Sequence, residues 1–176
     1  MPTFIALLRG VNVGGNVLKM ERLREICAGL GAKNPRTYVQ SGNVVFEAAG
    51  SAAGWEAKLE KGLAGESRLA VSVIVRTGDE MMKVLGGNPF LKEKGIEIIR
   101  LGVTFLKEPP SKAGLAALGA YAIGRERFHL AGKDVYLHCP EGFGNAKLYL
   151  LDKVLKQAAT TRNWNTVGKL CEMCAG

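Results

Sequence analysis

Five consecutive residues near the start of the chain, Phe4-Ile5-Ala6-Leu7-Leu8, are apolar without exception, and a glycine-rich turn follows them directly. A strand with one wet face alternates apolar and polar side chains, so an unbroken apolar run reads as a strand covered on both faces. The run is far too short to cross a bilayer, which takes about 20 residues. No charged segment of the kind that opens a signal peptide precedes it, and the expectation is a cytoplasmic protein with no membrane partner. The 176 residues suit one sizeable core or two small subdomains. With 47% hydrophobic and 23% charged residues, disorder and collagen-like repeats are excluded.

The patterning along the chain predicts an α+β fold. After the turn at Gly10–Asn16, Met20, Leu23, Ile26, Cys27 and Leu30 recur at three- and four-residue steps, predicting a helix that Gly31 closes. Arg36–Gln40 and Asn43–Glu47 read as strands joined at Ser41-Gly42. Ser51 can cap a helix carrying Trp55, Leu59 and Leu63, and Leu69–Arg76 reads as a fourth strand. This β-α-β-β-α-β order over residues 1–76 is that of a ferredoxin-like plait. Thr77-Gly78-Asp79-Glu80 fits a capping box, opening a short helix that stops before Asn88-Pro89, so 77–96 reads as a connector.

Residues 97–176 predict a second, atypical plait packed with the first. A strand over Glu97–Leu106 places Ile99, Leu101, Val103 and Phe105 on one face. A helix capped by Ser111 follows, and then a hairpin of Arg125–Leu130 and Val135–Cys139 turning at Gly132-Lys133. Helices over Ala146–Ala158 and Thr166–Cys174 complete the pattern, with a helix standing in place of the last strand.

Lys and Arg total 24 against 16 Asp and Glu, a net charge of +8 that favours anionic partners. No run of five like charges forms a basic tail, and four cysteines are too few for a disulfide framework. The first candidate site is the loop after the first strand, with Arg9, Asn12, Gly14 and Gly15, where backbone N–H groups can converge on an anion. It matches neither the Walker nor the dinucleotide spacing, and a plain tight turn is the alternative. The second is the hairpin tip with Ser41 and Asn43, polar residues that also serve turns. The third is Arg162, Asn163 and Asn165: Arg162 can pair with a phosphate, Asn165 or Thr166 can cap the last helix, and Trp164 can stack on a ring or anchor that helix in the core.

Two further groupings read as structural. Arg125, Arg127, His129, Tyr136 and His138 share one face of the predicted hairpin, either a nucleic-acid or phosphate surface or an ordinary solvated sheet face. Its two histidines lack a third metal ligand at a recognisable spacing, and no metal site is predicted. Cys171 and Cys174 fall with Val167 and Leu170 on one apolar helical stripe, which predicts packed thiols. No catalytic motif appears, so no catalytic residue, cofactor or reaction is assigned.

Ala6-Leu7-Leu8-Arg9-Gly10-Val11-Asn12-Val13-Gly14-Gly15 and Thr37-Tyr38-Val39-Gln40-Ser41-Gly42-Asn43-Val44-Val45-Phe46 resemble signature segments of the bacterial family catalogued as domain of unknown function 1697. Val75-Arg76-Thr77, Asn88-Pro89-Phe90, Val103-Thr104-Phe105-Leu106 and Thr161-Arg162-Asn163-Trp164-Asn165-Thr166 match its later segments, in the family's order. The family usually has a serine before the lysine of the penultimate helix; here Ala146 precedes Lys147, which weakens any catalytic role for that position. The resemblance implies two plait-like subdomains and brings no established activity. It directs attention to the first loop, the Ser41–Asn43 tip and Arg162–Thr166 as parts of one site. The expected function is binding of a small anionic or phosphate-bearing ligand, with or without catalysis. The alternatives are nucleic-acid binding and a protein-interaction module. Oligomeric state is not legible.

Overall fold

The computed structural model describes all 176 residues. β1 (Thr3–Leu8) is the central strand that the apolar run predicts, and it pairs antiparallel with β3 (Asn43–Glu47) on one side and β4 (Val73–Thr77) on the other. β2 (Lys33–Thr37) adds to the far edge of β3, giving a four-stranded antiparallel sheet in the order β2-β3-β1-β4. Phe4, Ala6 and Leu8 point to one face, where Leu23, Ile26 and Cys27 of α1 (Met20–Gly29) and Trp55, Leu59 and Leu63 of α2 (Ala52–Ser67) bury against them. Ile5 and Leu7, on the opposite face, are equally buried, so the strand is covered on both sides.

Local chemistry fixes these elements where the sequence predicts them. Ser51 Oγ accepts from Gly54 N at 3.1 Å and starts α2. Along α2, Glu56 and Glu60 stand one turn apart, and their carboxylates accept from Val75 N and Val73 N at 3.0 and 2.9 Å. Four helical residues rise about 6 Å and two strand residues about 6.6 Å, so the helix spacing matches alternate N–H groups of the edge strand. Those bonds close the outer edge of β4 against further pairing. At the end of β4 the capping box forms in full: Glu80 N donates to Thr77 Oγ1 at 3.1 Å and Thr77 N to Glu80 Oε2 at 2.8 Å, opening α3 (Gly78–Gly86).

The second sheet repeats the order of the first. β5 (Leu101–Leu106) is central, flanked by β7 (Asp134–His138) and β8 (Ala159–Asn163), with β6 (Arg127–Ala131) outside β7: β6-β7-β5-β8. α4 (Lys112–Ala120), started by Ser111 Oγ accepting from Gly114 N at 3.0 Å, and the short α5 (Leu151–Leu155) cover one face. Leu118, Leu148, Leu151 and Leu155 pack there with Leu106, Val135 and Leu137. The hairpin turns at Gly132-Lys133, and His129 faces Tyr136 as the sequence predicts. α6 (Trp164–Ala175) ends the chain.

The expectation of a missing fourth strand is corrected. Ala159–Asn163 is that strand, and the helix predicted over Ala146–Ala158 shrinks to a 3-10 turn at Lys147–Leu150 and α5. The two sheets also agree in detail at this strand. The penultimate residue of each is a buried arginine, Arg76 opposite Ile5 and Arg162 opposite Val103. The final residue of each, Thr77 and Asn163, caps the helix that begins at the next position. Other boundaries shift too. β2 lies at Lys33–Thr37, three residues before its predicted start, and β4 begins four residues later than predicted. Ile98–Arg100 is a 3-10 turn, which leaves Ile99 exposed and off the face of β5.

The chain divides into two compact units, Met1–Met82 with Leu170–Gly176, and Lys83–Lys169. The final helical residues, expected with the second subdomain, therefore group with the first. There Cys171 Sγ lies 3.4 Å from Met81 O, and Met173 O accepts from Arg36 Nη2 at 2.7 Å. No helix is long and apolar enough to cross a membrane.

Candidate functional site

In the first unit the loop after β1 and the β2–β3 tip meet. Leu8 N donates to Gly42 O at 2.9 Å, and Arg9 N to Ser72 O at 3.0 Å. Gly42 has φ +85°, and a Cβ there would stand 2.9 Å from Leu8 Cβ, so the close approach of tip to strand requires glycine. Val11 and Leu18 sink into the core and pin the two ends of the loop, while the residues between them stay exposed.

Asn12 joins the two segments. Its Nδ2 donates to Gln40 O at 2.6 Å and to Leu18 O at 3.0 Å, and its Oδ1 accepts from Leu18 N at 2.8 Å. Asn12 N donates to Asn16 O at 2.6 Å, and Asn16 Nδ2 to Gly10 O at 3.3 Å. Across the tip, Asn43 is fully buried, and its Nδ2 donates to Tyr38 O and to Ser41 Oγ, both at 2.9 Å. Asn12 and Asn43 thus hold the loop and the tip in shape. Arg9, Gly14, Gly15 and Ser41 are the sequence candidates exposed at the surface here.

The backbone of this loop is unusual. Gly10, Asn12 and Gly14 have φ of +69°, +59° and +59°, whereas the intervening Val11 and Val13 have none in the positive range. The N–H groups of Gly10, Val13, Gly14 and Gly15 enter no backbone hydrogen bond of the loop.

The remaining sequence candidates belong to the second unit. Arg162 is buried, and its Nη1 donates to Thr160 Oγ1 at 2.6 Å and Thr161 O at 3.0 Å. Burial pushes its guanidinium down to about 10, against the opposing influence of Tyr149, so it stays charged at neutral pH. Asn163 Oδ1 accepts from Thr166 N at 2.9 Å and is the cap of α6, a role the sequence gives to Asn165 or Thr166. Asn165 is exposed, and Trp164 is buried with its ring 6.4 Å from that of Tyr136.

The hairpin face is solvated at Arg125, Arg127 and His129, as its polar composition suggests, but closed at Tyr136. Tyr136 is buried, donates to Val84 O at 2.8 Å, and has its hydroxyl pushed up to about 12, mainly by burial. Arg127 forms a two-pronged pair with Glu93 at 3.1 and 2.9 Å and lies 3.2 Å from His138 Nδ1. Cys171 is packed as its helical stripe predicts, and burial raises its thiol to about 11.

One feature escapes the sequence reading. A cavity of about 390 Å³ in the second unit is lined by Arg125, Glu126, Glu141, Asn145, Ala146 and Lys147 among others. Its charges balance, so it selects no ion by sign. Both Glu126 oxygens already accept backbone bonds, from Lys147 N at 3.0 Å and Leu148 N at 2.9 Å.

No curated protein matches the chain. Among solved structures it is similar to the conserved bacterial protein SP0830 from Streptococcus pneumoniae, with a TM-score of 0.83 and 23% identity over all of this chain and 99% of that one. At that identity the likeness shows a shared fold. Residues 1–136 match the model of the family described as a protein of unknown function, DUF1697, and the chain belongs to that family.

Proposed function

We propose that the loop after β1 and the adjoining Tyr38–Asn43 tip bind a small anionic, phosphate-bearing ligand. The observation that carries this reading is the alternation of backbone handedness from Gly10 to Gly14, with uncommitted N–H groups at Gly10, Val13, Gly14 and Gly15. Alternation of this kind turns successive N–H groups toward one side and makes a concave nest of partial positive charge. Arg9 stands exposed at the start of the loop, and the net charge of +8 draws anions toward the surface. A nucleic-acid platform on the β6–β7 hairpin has less support, because Tyr136 is buried and Arg127 is held by Glu93.

The strand order and the all-antiparallel pairing support reading each sheet as a ferredoxin-like plait. Four free cysteines, three of them buried, fit a reducing, cytoplasmic compartment.

The test is thermal unfolding with and without inorganic phosphate. A ligand at one hundred times its Kd stabilises by about 2.7 kcal/mol. Gly14→Ala places a Cβ in open space and acts only through φ +59°, so it alters the nest without a clash. Phosphate is expected to raise the melting temperature of the parent chain and to lose that effect in Gly14→Ala and in Arg9→Gln. A parent chain indifferent to phosphate rules the reading out.

A further inference from the structure

Apolar surface gathers where the anion nest lies. Val13, Val17 and Val39 are 67%, 73% and 49% exposed. Each is the sequence neighbour of a residue in the Asn12 network, namely Asn12, Leu18 and Gln40. Long-range bonds hold the network, so three valines 4 to 26 residues apart in sequence are brought around one loop.

Val39 is the informative one. It has φ +51°, a region that a β-branched side chain rarely enters. Tyr38 O, in the peptide that precedes Val39, accepts from Asn43 Nδ2, and Gln40 O, one residue beyond Val39, accepts from Asn12 Nδ2. The two asparagines hold the Tyr38–Val39 and Gln40–Ser41 peptides, and Val39 with Gln40 closes the turn between them. Glycine or asparagine fits that angle without crowding. Valine there is crowded, half-exposed and outside the core cluster, so folding does not account for it. Strain held at the edge of a polar loop points to contact with a ligand.

Resting on the anion-site reading, we infer that the ligand is a phosphate monoester carrying a flat ring, of the nucleoside monophosphate class. The phosphate sits on the N–H groups of Gly10, Val13, Gly14 and Gly15, and the ring covers Val39 and its neighbouring valines. Inorganic phosphate or a bare sugar phosphate would satisfy the nest and leave the valines wet. A ring removes that apolar surface from water as it binds.

The experiment compares inorganic phosphate, ribose 5-phosphate and AMP by titration calorimetry on the full chain and on Val39→Gly and Val39→Asn. Both replacements adopt left-handed φ and keep the asparagine clamps, so the fold survives. AMP is expected to bind at least tenfold more tightly than ribose 5-phosphate, a ratio equal to about 1.4 kcal/mol. In both variants that ratio falls below threefold while the affinity for inorganic phosphate stays within twofold of the parent. A parent ratio below threefold, or a ratio unchanged in both variants, overturns the ring inference and leaves the anion site standing. If the parent binds neither inorganic phosphate nor ribose 5-phosphate, the anion site itself falls, and the inference with it.

Discussion

Replacing Asn12 tests the joint between loop and tip. Asn12→Ala removes three side-chain hydrogen bonds, to Gln40 O, Leu18 O and Leu18 N. Each is worth about 0.5–1.5 kcal/mol, and the lower half of that range applies because water reaches the vacated groups, giving roughly 2 kcal/mol in all. Alanine must also hold φ +59°. The left-handed region costs a residue with a Cβ about 1 kcal/mol or slightly more, and asparagine tolerates it better than most. The sum for Asn12→Ala is about 3 kcal/mol, whereas Asn12→Gly loses the bonds but not the angle and should cost about 2 kcal/mol. At about 2–4 °C per kcal/mol for a chain of this length, the melting temperature falls by roughly 6–12 °C for alanine and 4–8 °C for glycine. Urea unfolding followed by Trp55 fluorescence in a Trp164→Phe background reports the first unit, since Trp55 packs on Phe46 with ring centres 4.8 Å apart. A loss under about 1 kcal/mol for Asn12→Ala would refute the reasoning that these bonds hold the segments together. Equal losses for the two variants would refute the backbone part.

Three other changes separate the forces at work. Gly42→Ala forces a Cβ to 2.9 Å from Leu8 Cβ at φ +85°, and should destabilise by about 3 kcal/mol, read as a shift in the urea midpoint. Glu126→Ala strips the carboxylate from Lys147 N and Leu148 N and should cost about 1–3 kcal/mol, with loss of amide protection concentrated at residues 147–150 in hydrogen exchange. Burial, and then Arg127, hold the His138 imidazole below its ordinary value, with Glu93 opposing. The unfolded chain therefore takes up this proton first, so stability from this group is complete above about pH 6.5 and declines as the pH falls below it. A His138→Gln chain should show a shallower decline between about pH 6.5 and 5, and parallel curves would dismiss the argument.

The parts of the fold that were legible are those where a residue acts on near neighbours. The Thr77–Glu80 box, the Ser51 and Ser111 caps and the Gly132-Lys133 register need only a few residues of context, and each forms as read. β8 was missed because Ala-Thr-Thr-Arg-Asn carries no apolar alternation; Arg162 and Thr160 occupy buried positions that the pattern reserves for apolar side chains. β2 was placed three residues late for the opposite reason. It is a polar edge strand containing Pro35, and its largely exposed residues send no hydrophobic signal. At the candidate site, the glycines of the loop and the turn at Ser41-Gly42 could be found one by one. Their meeting could not, since it depends on a bond from Asn12 to Gln40, 28 residues away. That Asn12 and Asn43 act as clamps while Arg9 stays exposed likewise needed three dimensions.

The handover from strand to helix after Thr77 and after Asn163 has a consequence for motion. In both places the last strand residue caps a helix that starts at the very next position, so no spare residue lies between them to absorb a change of backbone angle. When β4 or β8 peels from its sheet, the cap goes with it and the first helical turn loses its end. Strand edge and helix start therefore fray as a single event, and their amides should exchange with solvent at one common rate.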